Sequence, residues 1–168
     1  MQNNDQINLN HALWCGILCA SVGYLSLTLF GTPHEMIHIL GGIKILPPIW
    51  FFNLLSTLFY FLNGIASGAV IDATSCRVNT GREEVSAYRG GLFFLSSFFL
   101  SLVRYHVFFL SGRLFIATLL SVACLITSIL CSAQWSHVHP KAASIIMVLN
   151  SLWQFYVLFV NISVFISR

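Results

Sequence analysis

Residues 49–71 constrain the fold of this chain more than any other segment. They form an apolar run, and no charged residue occurs over positions 45–71. The few polar and small residues of the run recur at steps of three and four, the period of one helix face; they are Asn53, Ser56, Thr57, Tyr60, Asn63, Gly64, Ser67 and Gly68. A soluble amphipathic helix would carry charges opposite its apolar face. The run is therefore predicted to be a membrane helix whose polar stripe faces protein, water or a bound molecule.

Four further apolar runs are long enough to cross about 30 Å of hydrocarbon as helices. With the run above, the five predicted spans are residues 13–30, 49–71, 91–110, 114–133 and 142–166. Only 8% of the 168 residues are charged and 57% are hydrophobic, whereas soluble domains are about 25% charged. The sequence predicts an all-α, multi-pass integral membrane bundle of five transmembrane helices, with residues 1–168 forming a single domain.

Two connections between the spans have distinct patterns. In the first, residues 31–48, the sequence Thr32-Pro33-His34-Glu35 is a capping box with proline at the first helical position. An apolar side follows, and Gly41-Gly42 ends the pattern. We expect a short amphipathic helix over the mouth of the bundle. Residues 72–89 contain three arginines and three acidic residues, and they are predicted to be a solvated connection.

Spans three and five also carry polar positions that share a helix face. Ser97, Ser101 and Arg104 follow the i, i+4, i+7 spacing. Asn150 and Asn161 lie eleven residues apart, about three turns. An ion pathway would be expected to bury acidic or lysine side chains, yet Arg104 is the only charged residue within a span. The pattern therefore favours a pocket for an amphipathic molecule.

The polar residues of spans three and five, and two of the tryptophans, also have purely structural interpretations. Arg104 could extend to the headgroups instead of lining a pocket. Trp50 could stack on a ligand or anchor its helix at the interface, and Trp153, which lies deeper, is the better candidate for a pocket wall. Asn150 and Asn161 could simply form hydrogen bonds between helices.

The sequence leaves two alternative functions open, a zinc protease and a purely structural membrane partner that binds no ligand. His34-Glu35-Met36-Ile37-His38 matches the H-E-x-x-H motif, in which two histidines bind zinc and the glutamate acts as base. The capping box already explains Glu35, and no third ligand motif follows, so His34 and His38 are metal ligands only under the first alternative. No phosphate-binding loop, nucleophile–base pair or paired buried carboxylate is evident, so a hydrolase or transferase of the usual type is not indicated.

The cysteines and the net charge do not point to a further kind of site. Four of the five cysteines, Cys15, Cys19, Cys124 and Cys131, lie inside spans, where cysteine packs as a small apolar residue. The net charge of +3 is spread over the loops without a basic cluster. Membrane lipids are therefore expected partners, and nucleic acid is not.

With these residues in place, the chain resembles the TspO/translocator protein family, also called tryptophan-rich sensory proteins. The family pattern Pro-Pro-x-Trp-x-Phe, then Thr-x-x-Tyr, then Gly, is matched by Pro47, Pro48, Trp50, Phe52, Thr57, Tyr60 and Gly64. Span three ends in the paired phenylalanines of the family, Phe108 and Phe109. Span five keeps the family's Trp and Asn eight residues apart, as Trp153 and Asn161. The resemblance covers essentially the whole chain.

The chain departs from the family in the lining of the expected pocket. Ser56 stands where the family has a tryptophan midway along span two. The family's Gln, Asn and Trp of span three fall at Ser97, Ser101 and Arg104. Hydroxyl groups and a guanidinium thus replace much of the aromatic lining.

The resemblance implies a translocator or sensor that binds haem, protoporphyrin IX or another amphipathic, lipid-like molecule in a pocket inside the bundle. It implies no obligatory cofactor and a homodimer. The expected ligand-binding residues are Trp50, Ser56, Tyr60, Asn63, Ser97, Ser101, Arg104, Asn150, Trp153 and Asn161, and the expected structural residues are Pro47, Pro48 and Gly64. An anionic tetrapyrrole is favoured over a sterol, because a guanidinium pairs with a carboxylate through two hydrogen bonds. A bacterial cell membrane is favoured over a mitochondrial outer membrane.

Overall fold

The computed structural model describes residues 9–29, 48–76, 81–109, 111, 113–138 and 141–166. These residues form five α-helices: α1 (Leu9–Leu29), α2 (Ile49–Cys76), α3 (Gly81–Phe109), α4 (Leu114–Trp135) and α5 (Lys141–Ile166). No strand occurs in the described ranges. All five helices are long and apolar enough to cross a membrane. The predicted all-α architecture of five membrane helices is confirmed.

The prediction that residues 72–89 form a connection between helices is wrong for most of this segment. Helix α2 continues to Cys76, and α3 already begins at Gly81. Glu83 and Glu84 occupy the first turn of α3, where the partial positive charge of the helix N-terminus stabilises carboxylates. Polar residues here therefore extend the helices beyond the apolar spans instead of ending them.

The start of α2 is described from Pro48 onward. The Pro48 carbonyl oxygen accepts hydrogen bonds from the backbone N–H groups of Phe51, at 2.9 Å, and Phe52, at 3.1 Å. Pro48 thus lies at the boundary where the helical hydrogen bonds begin. Pro47 and the amphipathic helix predicted in the first connection lie outside the described residues.

The helices pack in a ring. α1 packs along α2, α2 packs against α5, α5 against α4, and α4 against α3. α3 closes the ring through lighter contacts with α2 and α1. Helices α2, α3 and α5 therefore face one another across the interior.

Close contact between α1 and α2 depends on glycine. A Cβ atom added at Gly64 would lie 2.5 Å from the carbonyl oxygen of Cys15 and 2.7 Å from the Cα atom of Gly16. A Cβ atom at Gly68 would lie 2.7 Å from the Cα atom of Ala12. The Gly64-x-x-x-Gly68 motif therefore packs within the bundle, and a homodimer of the kind that the resemblance implies would have to use another surface.

The buried side chains form two apolar clusters that lie toward opposite ends of the bundle. One contains Leu27, Tyr105, Phe108, Phe109, Leu114 and Val164, together with smaller residues. The other contains Val70, Phe94, Trp135, Val138, Ala143 and Met147, together with smaller residues. Between the clusters lies a layer of buried polar side chains from α2, α3 and α5.

Large apolar side chains cover the outside of the bundle. Leu54, Phe99 and Leu152 are each more than 60% exposed, whereas Ser101 and Asn150 are almost fully buried. Polar groups inside and apolar groups outside are the arrangement expected when the surroundings are hydrocarbon.

Candidate ligand-binding site

The polar stripe of α2 faces the interior and meets polar residues of α3 and α5. Tyr60 and Asn63 are each 7% exposed, Ser101 is 3% exposed and Asn150 is 2% exposed. The stripe avoids lipid because unpaired polar groups are expensive in hydrocarbon. The three helices thus create a polar interior between the two apolar clusters.

Two adjoining spaces occupy this interior, and we call them together the central cleft. The Arg104 space has a volume of about 310 Å³ including its open part, and Ser56, Arg104 and Trp153 are among its lining residues. The amide space has about 230 Å³, with Ser97 and Met147 in its lining. Both spaces are lined by Tyr60, Asn63, Ser101, Asn150 and Gln154. Each is narrow, with room for about one water-sized sphere.

Arg104 turns into the cleft and is only 6% exposed. Its Nη1 donates a hydrogen bond of 2.7 Å to Oε1 of Gln154, and its Nη2 donates one of 3.4 Å to Oγ of Ser101. Both acceptors are neutral, and within the described ranges no carboxylate pairs with the guanidinium. The interpretation that Arg104 extends to the headgroups does not hold in this structure.

Two hydrogen bonds connect α2 to α3 beside Arg104. The Tyr60 hydroxyl and the Ser101 hydroxyl lie 3.0 Å apart. The Tyr105 hydroxyl donates to Oδ1 of Asn53 at 3.4 Å. Because the packing between α2 and α3 is otherwise light, these bonds are the main polar links across this side of the cleft.

The amide space contains two buried oxygen acceptors without a partner among the described residues, Oδ1 of Asn63 and Oδ1 of Asn150. The orientation of the Asn150 amide follows from its neighbours. Its Nδ2 donates to Oγ of Ser128, which lies 2.9 Å from Oγ of Ser151, and Ser151 donates to the Met147 carbonyl. A buried acceptor without a donor is destabilising, so the space favours an occupant that carries N–H or O–H groups.

Aromatic rings form one wall of the Arg104 space. The Trp153 indole stacks on Phe59, with ring centroids 5.3 Å apart and an interplanar angle of 11°. Phe52 lies 5.2 Å from the same indole, and Tyr156 stacks on it at 5.4 Å. This wall is apolar and flat, in contrast to the polar groups around Arg104.

Eight of the ten predicted ligand-binding residues line the central cleft. They are Ser56, Tyr60, Asn63, Ser97, Ser101, Arg104, Asn150 and Trp153.

The structure places the other two elsewhere. Trp50 is 68% exposed and lies edge-on to Phe51, with ring centroids 5.8 Å apart, as expected of an interfacial anchor. Asn161 donates from Nδ2 to Oγ of Ser121, which makes it a link between α5 and α4.

The most important cleft residue that the sequence did not reveal is Gln154. It is 4% exposed and is the closest hydrogen-bond partner of Arg104. Its position four residues after Asn150, on the same face of α5, was the available signal. The aromatic residues Phe59, Phe94 and Phe98 also line the cleft, and apolar residues in a membrane span carry no comparable signal.

The zinc motif at His34 and His38 lies outside the described residues. Among the residues that are described, no group of three or more His, Cys, Asp or Glu side chains could hold a metal ion. Cys124 and Cys131 are fully buried in the bundle, in keeping with the predicted packing role.

Comparison with known proteins adds one match. The model of the TspO/MBR family matches residues 14–166, nearly the whole chain. A search of curated proteins found no match.

Proposed function

The chain belongs to the TspO/MBR family, and on that premise we propose that it binds an amphipathic carboxylic acid, foremost a tetrapyrrole such as protoporphyrin IX or haem, in the central cleft. Family membership supports a translocator or sensor role in a membrane. The five apolar helices suit a multi-pass integral membrane protein. The observation that carries the choice of ligand is the buried guanidinium of Arg104.

A cation that is buried at membrane depth, and whose partners among the described residues are neutral, favours an anion. Gln154 and Ser101 each satisfy one N–H group of Arg104, but neither balances its charge. Charged groups inside membrane bundles normally pair with one another or mark a ligand pathway. A carboxylate can accept two parallel hydrogen bonds from a guanidinium, and the propionate of a tetrapyrrole supplies such a group.

The rest of the cleft suits the remainder of such a ligand. The wall of Trp153, Phe59 and Phe52 presents flat apolar surface, on which a macrocycle can pack. The free oxygens of Asn63 and Asn150 can accept from a second, protonated acid group. Polar anchors at one end and an aromatic wall at the other fit a molecule that is itself amphipathic.

The present volume of the cleft requires that ligand entry separates helices. Pockets for drug-sized ligands have volumes of about 300–1,000 Å³, whereas each space here has room for about one water-sized sphere. The packing between α2 and α3 is lighter than that between α2 and α5. We expect the side between α2 and α3 to open when a ligand binds, as a minor conformation that the ligand stabilises.

Titration of the purified protein with protoporphyrin IX, followed by tryptophan quenching and porphyrin absorbance, tests the proposal. Arg104→Gln is expected to raise the Kd about ten- to a hundredfold, because hydrogen bonds to charged groups contribute about 1.5–3 kcal/mol. Arg113→Gln is the matched control, since Arg113 is exposed between α3 and α4 and its loss should leave the Kd unchanged.

The dimethyl ester of protoporphyrin IX gives a second test that uses the wild-type protein. It keeps the macrocycle and lacks the carboxylates, so it should bind as weakly as the acid binds to Arg104→Gln. Absence of saturable binding of the acid, or equal affinity for acid and ester, would show that Arg104 does not select a carboxylate.

A further inference from the structure

A second cluster of reactive side chains lies away from the central cleft, where the beginning of α1 meets the end of α2. Nδ1 of His11 lies 2.6 Å from Oδ1 of Asp72. Nε2 of the same imidazole lies 4.0 Å from Sγ of Cys15. His11 and Cys15 lie four positions apart in α1, but the sequence alone does not connect them with a carboxylate, because Asp72 is 61 positions from His11.

The proton positions in this cluster follow from what each group can do. An ionised carboxylate only accepts hydrogen bonds, so Nδ1 of His11 carries the proton that is shared with Asp72. In the neutral imidazole, Nε2 then has a free lone pair, and it faces the Cys15 thiol. A nucleophile, a base within reach and a carboxylate that orients the base are the three parts of an activated nucleophilic site.

We propose that Cys15 is a nucleophilic thiol that accepts a fatty acyl group from an acyl thioester at the membrane surface. Nε2 of His11 removes the thiol proton, and Asp72 is a positioning residue that holds the imidazole. The cysteine sulfur attacks the thioester carbonyl, a new carbon–sulfur bond forms, and the original carbon–sulfur bond breaks. The proton on His11 passes to the departing thiolate, so Cys15 gains a thioester and a free thiol is released.

The position of the cluster favours a lipid substrate. The side chain of His11 is 44% exposed and that of Asp72 is 14% exposed, and both lie near helix ends, as polar groups at a membrane surface do. Cys15 lies one turn deeper and is partly exposed. Trp14 and Leu18, its neighbours on α1, are 64% and 63% exposed. The thiol itself lies at the edge of the α1–α2 contact, where a Cβ atom added at Gly68 would lie 3.2 Å from its Sγ. An acyl chain on Cys15 would therefore leave this edge along α1, past Leu18, to reach the lipid.

Cys19 provides an internal comparison in the same helix. It lies one turn after Cys15 and is also partly exposed. The residue one turn before Cys19 is Cys15 itself, so Cys19 has no histidine in the equivalent place. Cys19 also packs against the apolar cluster around Trp135. The effect of His11→Gln on the ratio of the two acylation rates, rather than the wild-type ratio alone, therefore reports on the base and its carboxylate.

The experiment incubates the full-length protein, in lipid nanodiscs, with palmitoyl-CoA. Mass spectrometry quantifies hydroxylamine-sensitive acylation at each cysteine. Cys15 is expected to react about a hundredfold faster than Cys19, the usual size of general-base assistance. His11→Gln should bring the rate at Cys15 to that at Cys19. Asp72→Asn should give an intermediate rate, because the imidazole keeps its base but loses the charge that orients it.

The ratio of the acylation rates at Cys15 and Cys19 separates an effect on the chemistry from a loss of structure, since unfolding would expose both thiols. The comparison in the wild-type protein needs no variant to fold. A wild-type ratio near one, no acylation of Cys15, or a ratio that His11→Gln leaves unchanged would overturn the proposal. In each case the contact between His11 and Asp72 would be only a clamp between α1 and α2.

Discussion

At the scale of single residues, the pairing of Arg104 with an amide is the unusual feature of the interior. Gln154 has the shape of a glutamate and accepts from Nη1 at 2.7 Å, yet it carries no charge. A glutamate at this position would neutralise the guanidinium within the protein. The amide orients Arg104 without neutralising it, which is what the proposed binding of an anion requires.

Gln154→Glu is therefore expected to compete with the ligand. The new carboxylate would form a buried, charge-assisted pair with Arg104 and should raise the thermal midpoint of the protein. The same pair should weaken protoporphyrin IX binding at least about tenfold, because hydrogen bonds to charged groups contribute about 1.5–3 kcal/mol. Porphyrin titration and thermal unfolding of the same preparation measure both effects.

Gln134→Glu is the control for the added charge, because Gln134 lies at the end of α4 and is absent from the lining of the central cleft. It should leave binding unchanged. If Gln154→Glu binds protoporphyrin IX as tightly as the wild type, Arg104 is not the group that meets the ligand.

Sequence periodicity predicted which residues of one helix share a face, and it could not predict the partner across the cleft. The spacing of Ser97, Ser101 and Arg104 indicated an inward stripe, and all three are buried. The contact between Arg104 and Gln154 joins residues 50 positions apart. It depends on how α3 and α5 are rotated about their axes, and the sequence of either helix alone does not specify that rotation.

At the scale of helices, α1 and α2 form the tightest pair because their backbones touch. A Cβ atom at Gly23 would fall on the Tyr60 ring, and one at Gly64 would fall on the backbone of Cys15 and Gly16. Without a hydrophobic driving force between helices in lipid, such close packing is a main source of association. The pair also positions Tyr60, so the α1 contact supports one wall of the central cleft.

Gly64→Ala should destabilise the protein by about 1–3 kcal/mol, because its Cβ meets rigid backbone atoms and the helices must move apart. Gly91→Ala on α3 is the control, since a Cβ there meets nothing within 4 Å. That change should stabilise the helix by about 0.5–1 kcal/mol. Thermal unfolding in detergent ranks the wild type and the two variants by stability. A Gly64→Ala variant as stable as Gly91→Ala would contradict the close packing of α1 and α2.

The existence of the helices was predictable, and their ends were less so. Apolar length identified all five spans because hydrocarbon demands it. This constraint does not apply beyond the hydrocarbon, where polar residues can continue a helix. Ser75, for example, is still helical, and its hydroxyl donates to the Ile71 carbonyl oxygen at 2.9 Å. Polar composition over residues 72–89 therefore indicated where the apolar runs end and not where the helices end.

At the scale of the whole molecule, the ring of helices is closed on the side where the proposed ligand would enter. The Tyr60–Ser101 and Tyr105–Asn53 hydrogen bonds hold α2 to α3 where packing is light. A ligand that binds only the form in which α2 and α3 are separated must wait for this form or induce it. The less this open form is populated, the lower is the apparent affinity for the ligand.

Tyr60→Phe removes the stronger of the two bonds and keeps the ring that fills the space beside Gly23. It should raise the population of the open form, and with it the rate at which protoporphyrin IX binds, by about fivefold, because one buried hydrogen bond contributes about 1 kcal/mol. Stopped-flow tryptophan quenching over a range of porphyrin concentrations measures this rate.

Tyr88→Phe is the control, because Tyr88 lies on α3 and is 70% exposed. If opening limits binding, the observed rate reaches a plateau with porphyrin concentration, and Tyr60→Phe raises that plateau while Tyr88→Phe does not. A rate that increases linearly and equally in all three proteins would mean that the ligand reaches its site without separating α2 from α3.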